Sequence, residues 1–525
     1  MDTTLPLASL FYQSATTHPA RVALITDESE CSYGDLLSQV ESLREALRPQ
    51  DSERIGILAY RSPVAFAAVQ AALAEARSYV PMNPHFPAGR NAYIARKAEL
   101  STLVVGEECA EALEALLGEL SAPLTLVIQG RCPRILEIAS KSEFVRVVSA
   151  PAPTKAPPKP LAGIPRDGSA YVLFTSGSTG EPKGVRVRQD NVQSYVRSFL
   201  SLYPISGDDR VSQTFDLTFD LSVHDQFVTW AAGATLVVYP DKALRSPIPW
   251  TRSQGVTVWF SVPSLAAFLE SSRQVEINGL PDLRLSLFCG EKLTWKTSHL
   301  WRTIAPNSRQ VNLYGPTEAT IAITHFEIEP SLSEERCHQG GIPIGEAFPG
   351  QFCEVRDEFG NICQGIASGE LWLGGDQVTP GYLGEPTKTT ERFVERDGMV
   401  WYRTGDLVHR DPDGSIQYEG RLDFQVKVMG YRIELGEIEH ALLKASGSAY
   451  SLADVAPIRG DMDEIYGILP GSCADKKRPI KEALEGLLPS YMVPRKIFFL
   501  ADIPLNANGK MDRGAIRQRV LEGRI

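Results

Sequence analysis

Residues Thr175-Ser176-Gly177-Ser178-Thr179-Gly180-Glu181-Pro182-Lys183-Gly184 follow directly on an apolar run, Tyr171-Val172-Leu173-Phe174. A buried strand opening into a loop of glycines and hydroxyls makes an anion-binding pattern. Glycine permits positive φ, so successive backbone N–H groups can turn inward to form a concavity for oxygen anions. Thr175, Ser176, Ser178 and Thr179 add hydroxyl donors, and Lys183 adds a positive charge suited to a polyphosphate. The loop is not of the Walker type, because Glu181 and Pro182 separate Gly180 from Lys183. A solvated turn competes with this reading for any short Gly/Ser stretch; over ten residues the pattern is far rarer.

The surrounding segments alternate in period. After Ser32, Leu36, Val40, Leu43 and Leu47 recur at helical spacing, and 55–59 (IGILA) reads as a buried strand. AAVQAALAEA again reads as helix, leading to Tyr79-Val80-Pro81. Such alternation predicts an α/β fold with helices packed on largely parallel sheet. Residues 151–165 are too proline-rich for either regular element and read as an extended surface connector. Further strands are expected at 235–239, 256–261, 285–288, 369–374 and 400–402. The tail from about 425 reads as a small separate unit. It begins with the strand-like QVKVMGYRI and the helix-like EIEHALLKA, and it ends in a loop, IPLNANGKMDR.

At 525 residues the chain is too long for one ordinary core, so two or more domains are expected. The net charge of −11 and the lack of a long basic block give no nucleic-acid footprint. Eight scattered cysteines form no CxxC pair, which points to reduced thiols rather than a zinc site. With no signal-peptide pattern and no membrane-length apolar stretch, the expected location is the cytoplasm, away from membranes.

Seven further segments complete the pattern in order: FDLSV (219–223), NLYGPTEATIA (312–322), GELWLGGDQVTPGYLG (369–384), YRTGDLV (402–408), GRLDFQVKVMGYRIELGEIE (420–439), LPSYMVPRK (488–496) and NGKMDR (508–513). With the phosphate loop, this series resembles the adenylate-forming superfamily, which includes acyl-CoA ligases, luciferases and the adenylation domains of nonribosomal peptide synthesis. The resemblance implies a large N-terminal domain, 1–422, with β-sheets packed by helices, and a small mobile α+β C-terminal domain, 423–525. It implies ATP and Mg2+ as cofactors. Tyr314 would stack on adenine, and Thr317 and Glu318 would hold Mg2+, which takes hard oxygen donors. Asp406 would hold the ribose hydroxyls with Arg421 as its companion, and Gly290, Glu291 and Gly315 would complete the nucleotide site. Lys510 would be the catalytic lysine, neutralising charge between the substrate carboxylate and the α-phosphate. Asp423 would be the hinge of a rotating small domain, and Gly430 would mark the loop presented to the acceptor thiol.

FDLSV bears on the substrate. By the same resemblance, Asp220 would bind the α-ammonium of an amino acid, since a buried ammonium needs a fixed counter-charge. The upstream near-copy Phe215-Asp216-Leu217-Thr218 is the weaker match. The implied pocket is Asp220, Leu221, His224, Phe260, Leu287, Cys289, Leu313, Ile321 and Ala322, closed by Lys510. No charged partner for a side chain appears in it, so a small neutral amino acid is expected. Stand-alone ligases that load D-alanine or L-proline onto a carrier protein both resemble the chain, and bulky Phe260 and Leu313 tilt the expectation toward proline. His224 fits neither pattern: it is either a satisfied wall histidine or a hydrogen-bonding contact to a different substrate. With 15 residues after Lys510, the expected acceptor is the phosphopantetheine of a separate peptidyl or acyl carrier protein, or coenzyme A. An acyl- or aryl-CoA ligase is the main alternative, and a non-catalytic scaffold a second.

Overall fold

The computed structural model describes residues 5–162, 168–177, 180–396, 398–448, 450–457, 463–502, 504 and 511–525. The chain divides into two compact units. One comprises residues 1–84, 92–173 and 184–422; the other comprises 85–91, 174–183 and 423–525. Both mix helix and sheet, so the fold class is α/β, as the alternating periodicity predicts.

The first unit contains three sheets. A nine-stranded sheet runs in the order 346–347, 324–327, 309–314, 285–288, 258–261, 210–213, 235–238, 22–25, 30–32. Its six strands from Arg309–Tyr314 to Val22–Ile25 are mutually parallel, and antiparallel strands finish both edges. A second sheet carries parallel strands Val145–Ala150, Leu124–Gln129, Thr102–Val105, Arg54–Leu58, Ser78–Pro81 and Ser169–Thr175, with Lys183–Arg188 at its edge. The third is antiparallel and built on Gln351–Arg356, Ala367–Gly375 and the long strand Met399–Arg410.

Two helices show why the core closes as it does. Pro63–Ala74 and Leu221–Ala231 turn no face to solvent: residues 65–74 and 221–230 are buried on every side. The first is apolar almost all round, as a helix of the interior is expected to be. They meet where Phe66 packs edge-on against Trp230, and the Trp230 indole N–H donates to the Ala23 carbonyl at 3.1 Å. Several polar residues are buried in the second helix, among them His224, Asp225 and Gln226.

Two sequence expectations need correcting. The strand expected from Val256 starts at Val258, because Val256 ends the preceding helix, Pro247–Ser253. Gly255 takes φ +60, its N–H bonds the Arg252 carbonyl, and the Val256 N–H reaches back to Thr251. That is a Schellman cap. The run QVKVMGYRI is likewise not one strand but a hairpin, Gln425–Val428 with Tyr431–Glu434. Met429 (φ 51) and Gly430 (φ 81) make the two-residue turn, with both central residues in the left-handed region as a type I′ hairpin requires. The connector behaves as expected: 151–162 form no regular structure and are mostly exposed.

In the second unit, helices Leu435–Ser446 and Lys477–Leu487 pack with the sheet Leu452–Ala456, Glu464–Pro470 and Lys496–Leu500. Ile438, Leu442, Leu484 and Met492 form its main core. Among the described residues, no helix is long and apolar enough to cross a membrane.

Candidate active site

In the first unit, the motif YGPTEATIA turns out of the strand Arg309–Tyr314 into a single turn of 3-10 helix, Thr317–Ala319. Gly315 is needed there: a Cβ would lie 2.6 Å from the Ala322 Cα as the loop folds back on itself. Thr320 (φ 57) and Ile321 (φ 71) both stand in the left-handed region, which is rare for β-branched residues. This strained turn brings Thr317, Glu318 and Ile321 to one place.

Asp220 meets them. It is the N-terminal cap residue of the helix Leu221–Ala231, but its carboxyl makes no capping bond. The Thr317 hydroxyl and the amides of Leu221 and Ile321 lie beside it and favour its charged form, with Glu318 close enough to interact electrostatically. Burial raises its pKa from 3.8 to about 6; the hydrogen bonds oppose the rise and the Glu318 charge adds to it. Asp216, in the upstream near-copy, uses its carboxyl locally to accept from the Thr218 N–H at 2.9 Å.

The remaining pocket residues lie in one continuous apolar cluster. Phe260 and Leu287 stand side by side in register on adjacent parallel strands, and Leu313 is the last residue but one of the next strand. Leu221, Cys289, Ile321 and Ala322 are buried around them. His224 is one helical turn beyond Asp220. Its Nδ1 lies 2.7 Å from the Tyr195 hydroxyl, and its ring packs 4.5 Å from Phe260 and 4.6 Å from Phe199, centroid to centroid. Its Nε2 has no hydrogen-bond partner, and burial pushes its pKa down to about 3, so the ring is neutral.

On the nucleotide side, Asp406 and Arg421 face each other across the antiparallel pair Met399–Arg410 and Ile416–Arg421. The Arg421 guanidinium donates to Asp406 Oδ1 at 2.6 Å, and the Tyr314 hydroxyl donates to Oδ2. Tyr314 is buried, and burial together with the Asp406 charge raises its phenol well above the usual range. Gly290 takes φ +94, and the Glu291 carboxylate accepts from the Ser264 N–H at 2.9 Å.

The phosphate-loop segment belongs to the second unit. Gly177 is indispensable in it, since a Cβ would fall 2.0 Å from the Glu181 carbonyl oxygen. Gly180 has φ +85, and its N–H bonds the Gly177 carbonyl. The Ser176 hydroxyl donates to the Arg432 carbonyl at 2.7 Å and accepts from the Glu434 N–H at 3.0 Å. Thr175 Oγ1 is buried without a partner. Lys183 is half-buried at the start of its strand. Ser178, Thr179 and Lys510 lie outside the described residues. In the tail, Asp423 accepts from the Gln425 N–H at 3.2 Å, and Gly430 sits at the hairpin tip.

A match to the family described as AMP-binding enzyme covers residues 11–383. The chain belongs to that family. It is thereby a member of the adenylate-forming superfamily that its motifs resemble. It is 30% identical over 530 residues to the D-alanine–D-alanyl carrier protein ligase of Bacillus licheniformis, covering 96% of this chain and 98% of that one. It is also 30% identical over 514 residues to the phenyloxazoline synthase MbtB of Mycobacterium tuberculosis. That match takes in 96% of this chain but spans only about a third, 34%, of the synthase. Among solved structures, the Vibrio cholerae adenylation domain AlmE, in complex with glycyl-adenosine-5'-phosphate, superposes with a TM-score of 0.90 at 26% identity over 98% of each chain.

The donor set of this AMP-binding enzyme fits its nucleotide. Thr317 and Glu318 offer a hydroxyl and a buried carboxylate, the hard oxygen donors that Mg2+ takes alongside phosphate oxygens. The orphaned Thr175 hydroxyl gives the phosphate loop a free donor. Three residues absent from the motif reading also shape the site. The Tyr382 hydroxyl donates to Glu318 Oε1 at 2.8 Å and fixes that carboxylate. Gln377, fully buried, donates from Nε2 to the carbonyls of Ala319 (3.4 Å), Thr320 (3.2 Å) and Ala322 (2.7 Å), strapping the left-handed turn. Tyr195 holds His224. Tyr382 and Gln377 lie within GELWLGGDQVTPGYLG, where a polar residue among glycines was the available signal; Tyr195 carried none.

Proposed function

We propose that this enzyme activates a small neutral amino acid with ATP and passes it to the phosphopantetheine thiol of a carrier protein. The observation that carries this reading is Asp220: a buried carboxyl beside Thr317 and Glu318, with no cation beside it among the described residues. An α-ammonium placed against Asp220 supplies that charge. It also sets the substrate carboxylate toward the Thr317–Glu318 turn, where the α-phosphate would be held. A carboxylate oxygen then attacks the α-phosphorus, forming the mixed anhydride and breaking the bond to the bridging oxygen of pyrophosphate. In the second half-reaction a thiolate attacks the carbonyl carbon, forms the thioester and expels AMP. Mg2+, when bound, neutralises charge on the phosphate oxygens. Asp406, already oriented by Arg421 and Tyr314, keeps lone pairs for two neighbouring hydroxyls such as those of ribose.

The remaining assignments rest on the motif resemblance: Lys510 as catalytic lysine, Asp423 as hinge between domains 1–422 and 423–525, and Gly430 as the loop that meets the thiol. Alanine and proline are the candidates by sequence. The similarity to a D-alanine–D-alanyl carrier protein ligase and to a domain solved with glycyl-adenylate supports a small substrate. Pyrophosphate release with ATP and Mg2+, measured against a panel of amino acids, benzoate and a medium-chain fatty acid, tests the reading. Amino-acid-dependent release is expected; release only with acids lacking an amine would overturn it.

A further inference from the structure

Arg61 lies three residues beyond the carboxyl end of strand Arg54–Leu58 and takes φ +51, a left-handed conformation uncommon for any residue but glycine. Its neighbours hold it there. The Glu108 carboxylate accepts from the Tyr60 N–H at 2.9 Å and from the Ser62 hydroxyl at 2.7 Å. The Arg61 side chain reaches across to the other parallel sheet of the first unit. Its Nη2 donates to the Thr214 carbonyl at 3.0 Å, and its Nη1 to the Tyr239 carbonyl at 2.5 Å. Thr214 and Tyr239 are the first residues past the carboxyl ends of the adjacent parallel strands Arg210–Gln213 and Thr235–Val238. One guanidinium fork therefore ties together the carboxyl ends of three strands from two sheets, the end of an α/β fold at which ligands bind.

Thr214 opens the loop that delivers Asp220. Its hydroxyl donates to the Phe260 carbonyl at 2.8 Å, and Gln213 Nε2 donates to the Phe215 carbonyl. Phe215 stacks on Phe219 with centroids 6.0 Å apart, and the Phe219 N–H bonds the Asp216 carbonyl. Asp220 follows at once as the cap residue of the helix Leu221–Ala231. A loop this short and this internally bonded passes a displacement at Thr214 on to Asp220. Arg61 also bears on the helix itself. Asp225 is wholly buried there, and neither of its oxygens has a hydrogen-bond partner among the described residues. Burial pushes its carboxyl well above the usual carboxylate range, and the charge of Arg61 and the nearby Thr214 amide oppose that rise. The same guanidinium thus braces the loop before Asp220 and faces the charge buried in the helix after it. A strained residue held in place from both sides is the kind of feature that marks a functional position.

We propose that Arg61 is a positioning residue for the amino-acid substrate: by clamping the Thr214 and Tyr239 carbonyls it sets where the Asp220 carboxylate stands to receive the α-ammonium. This rests on the reading of Asp220 as the ammonium site. Arg61 acts through the loop and touches no substrate, so its influence falls on the amino acid and not on ATP. Arginine is required because two carbonyls on two strands need a planar fork, whereas a lysine ammonium is a point donor.

The test is amino-acid-dependent ATP–pyrophosphate exchange by the whole protein, with urea unfolding measured alongside. It is run on the native chain, Arg61→Met, Arg61→Lys, Asp220→Asn and the double variant of Arg61→Met with Asp220→Asn. Arg61→Met should raise the amino-acid KM by ~10-fold or more with the ATP KM held within ~2-fold, since a small misplacement of a positioning group costs up to about 100-fold. Arg61→Lys keeps the charge and loses the fork, so it should still raise the amino-acid KM by ~3-fold or more. Once Asp220→Asn has removed the carboxylate, adding Arg61→Met should cost less than ~3-fold further, because residues acting as one unit are not additive. A folded Arg61→Met protein with a lowered urea midpoint and a native amino-acid KM overturns the inference, since the clamp would then serve stability alone. So does an equal rise in both KM values, or a double variant in which the two single effects multiply in full. Should Arg61→Met fail to fold, Arg61→Lys decides, and a native amino-acid KM there overturns the inference. Each of these results leaves the Asp220 reading standing. A native amino-acid KM in Asp220→Asn overturns both.

Discussion

Replacing Asp220 by asparagine should move stability and substrate binding in opposite directions. Burial holds this carboxyl at about 6 in place of 3.8. At about 1.4 kcal/mol per pH unit, that rise represents about 3 kcal/mol set against the ionised form in the substrate-free protein. The sign follows from proton counts. Between about pH 4 and pH 6 the folded state binds the Asp220 proton more tightly than the unfolded chain, so this group's contribution to stability falls as pH rises and is fully adverse above about pH 6. Asp220→Asn keeps the shape and removes the charge. Its amide oxygen still faces the Thr317 hydroxyl and the Leu221 and Ile321 amides. The substrate-free variant should therefore resist urea more than the native protein at about pH 8, by up to about 3 kcal/mol, with the gain vanishing near pH 4. Binding should suffer, because truncating one member of a buried charge pair costs about 2–5 kcal/mol. The amino-acid KM should rise at least ~30-fold while the ATP KM holds. In the native enzyme, protonation of Asp220 removes the same partner, so the amino-acid KM should climb about tenfold per pH unit below about 6. Urea unfolding by circular dichroism and pyrophosphate exchange at several pH values read these quantities. A variant that is less stable than native and unaltered in amino-acid KM would refute the argument, because Asp220 would then be a structural hydrogen-bonding group.

Other perturbations probe the rest of the site. Tyr314→Phe deletes a hydrogen bond to the Asp406 carboxylate, a class worth about 1.5–3 kcal/mol, so the ATP KM in pyrophosphate exchange should rise about tenfold or more with little change for the amino acid. Arg421→Ala leaves the nearly buried Asp406 carboxylate without its cation, and breaking such a pair costs about 3–5 kcal/mol; a clear drop in the urea midpoint should accompany weakened ATP binding. Gln377→Leu removes the two side-chain N–H donors that three carbonyls of the Ala319–Ala322 turn share, each bond worth about 1 kcal/mol. The amino-acid KM should rise more than the ATP KM, since the Ile321 amide in that turn lies beside Asp220.

Much of this architecture is local in the chain and was legible there. Strand Ser169–Thr175, the helix after Ser32 and the buried helix Pro63–Ala74 follow from hydrophobic period, and the phosphate loop from its glycines. Where the reading slipped, turn chemistry decided. Gly255 draws Val256 into a helix cap, and Met429-Gly430 folds an apparently continuous strand back on itself. Both signals were in the sequence as glycines, but a glycine's effect depends on which neighbour must take the left-handed conformation. The site residues within motifs were nameable because those motifs come as contiguous strings. Gln377 acts across 55 to 58 positions, Tyr382 across 64 and Tyr195 across 29, and no spacing encodes a contact made through folded space.

Side-chain size alone does not define the substrate pocket. Phe260 and Leu313, counted as bulky lining, suggested a site shaped for a ring such as proline. A large residue at a pocket position can frame a cavity or occupy it, and composition does not distinguish the two. What distinguishes them is where the neighbouring rings sit. Phe260 lies 5.2 Å from Phe215 and 4.5 Å from His224, centroid to centroid, with both contacts edge-on. His224 could not be interpreted alone for the same reason. Whether it is a satisfied wall residue or a polar contact depends on its partners, and the structure gives one nitrogen a tyrosine and the other none. The imidazole is therefore half satisfied. One helical turn thus carries both a buried carboxyl and a half-satisfied imidazole.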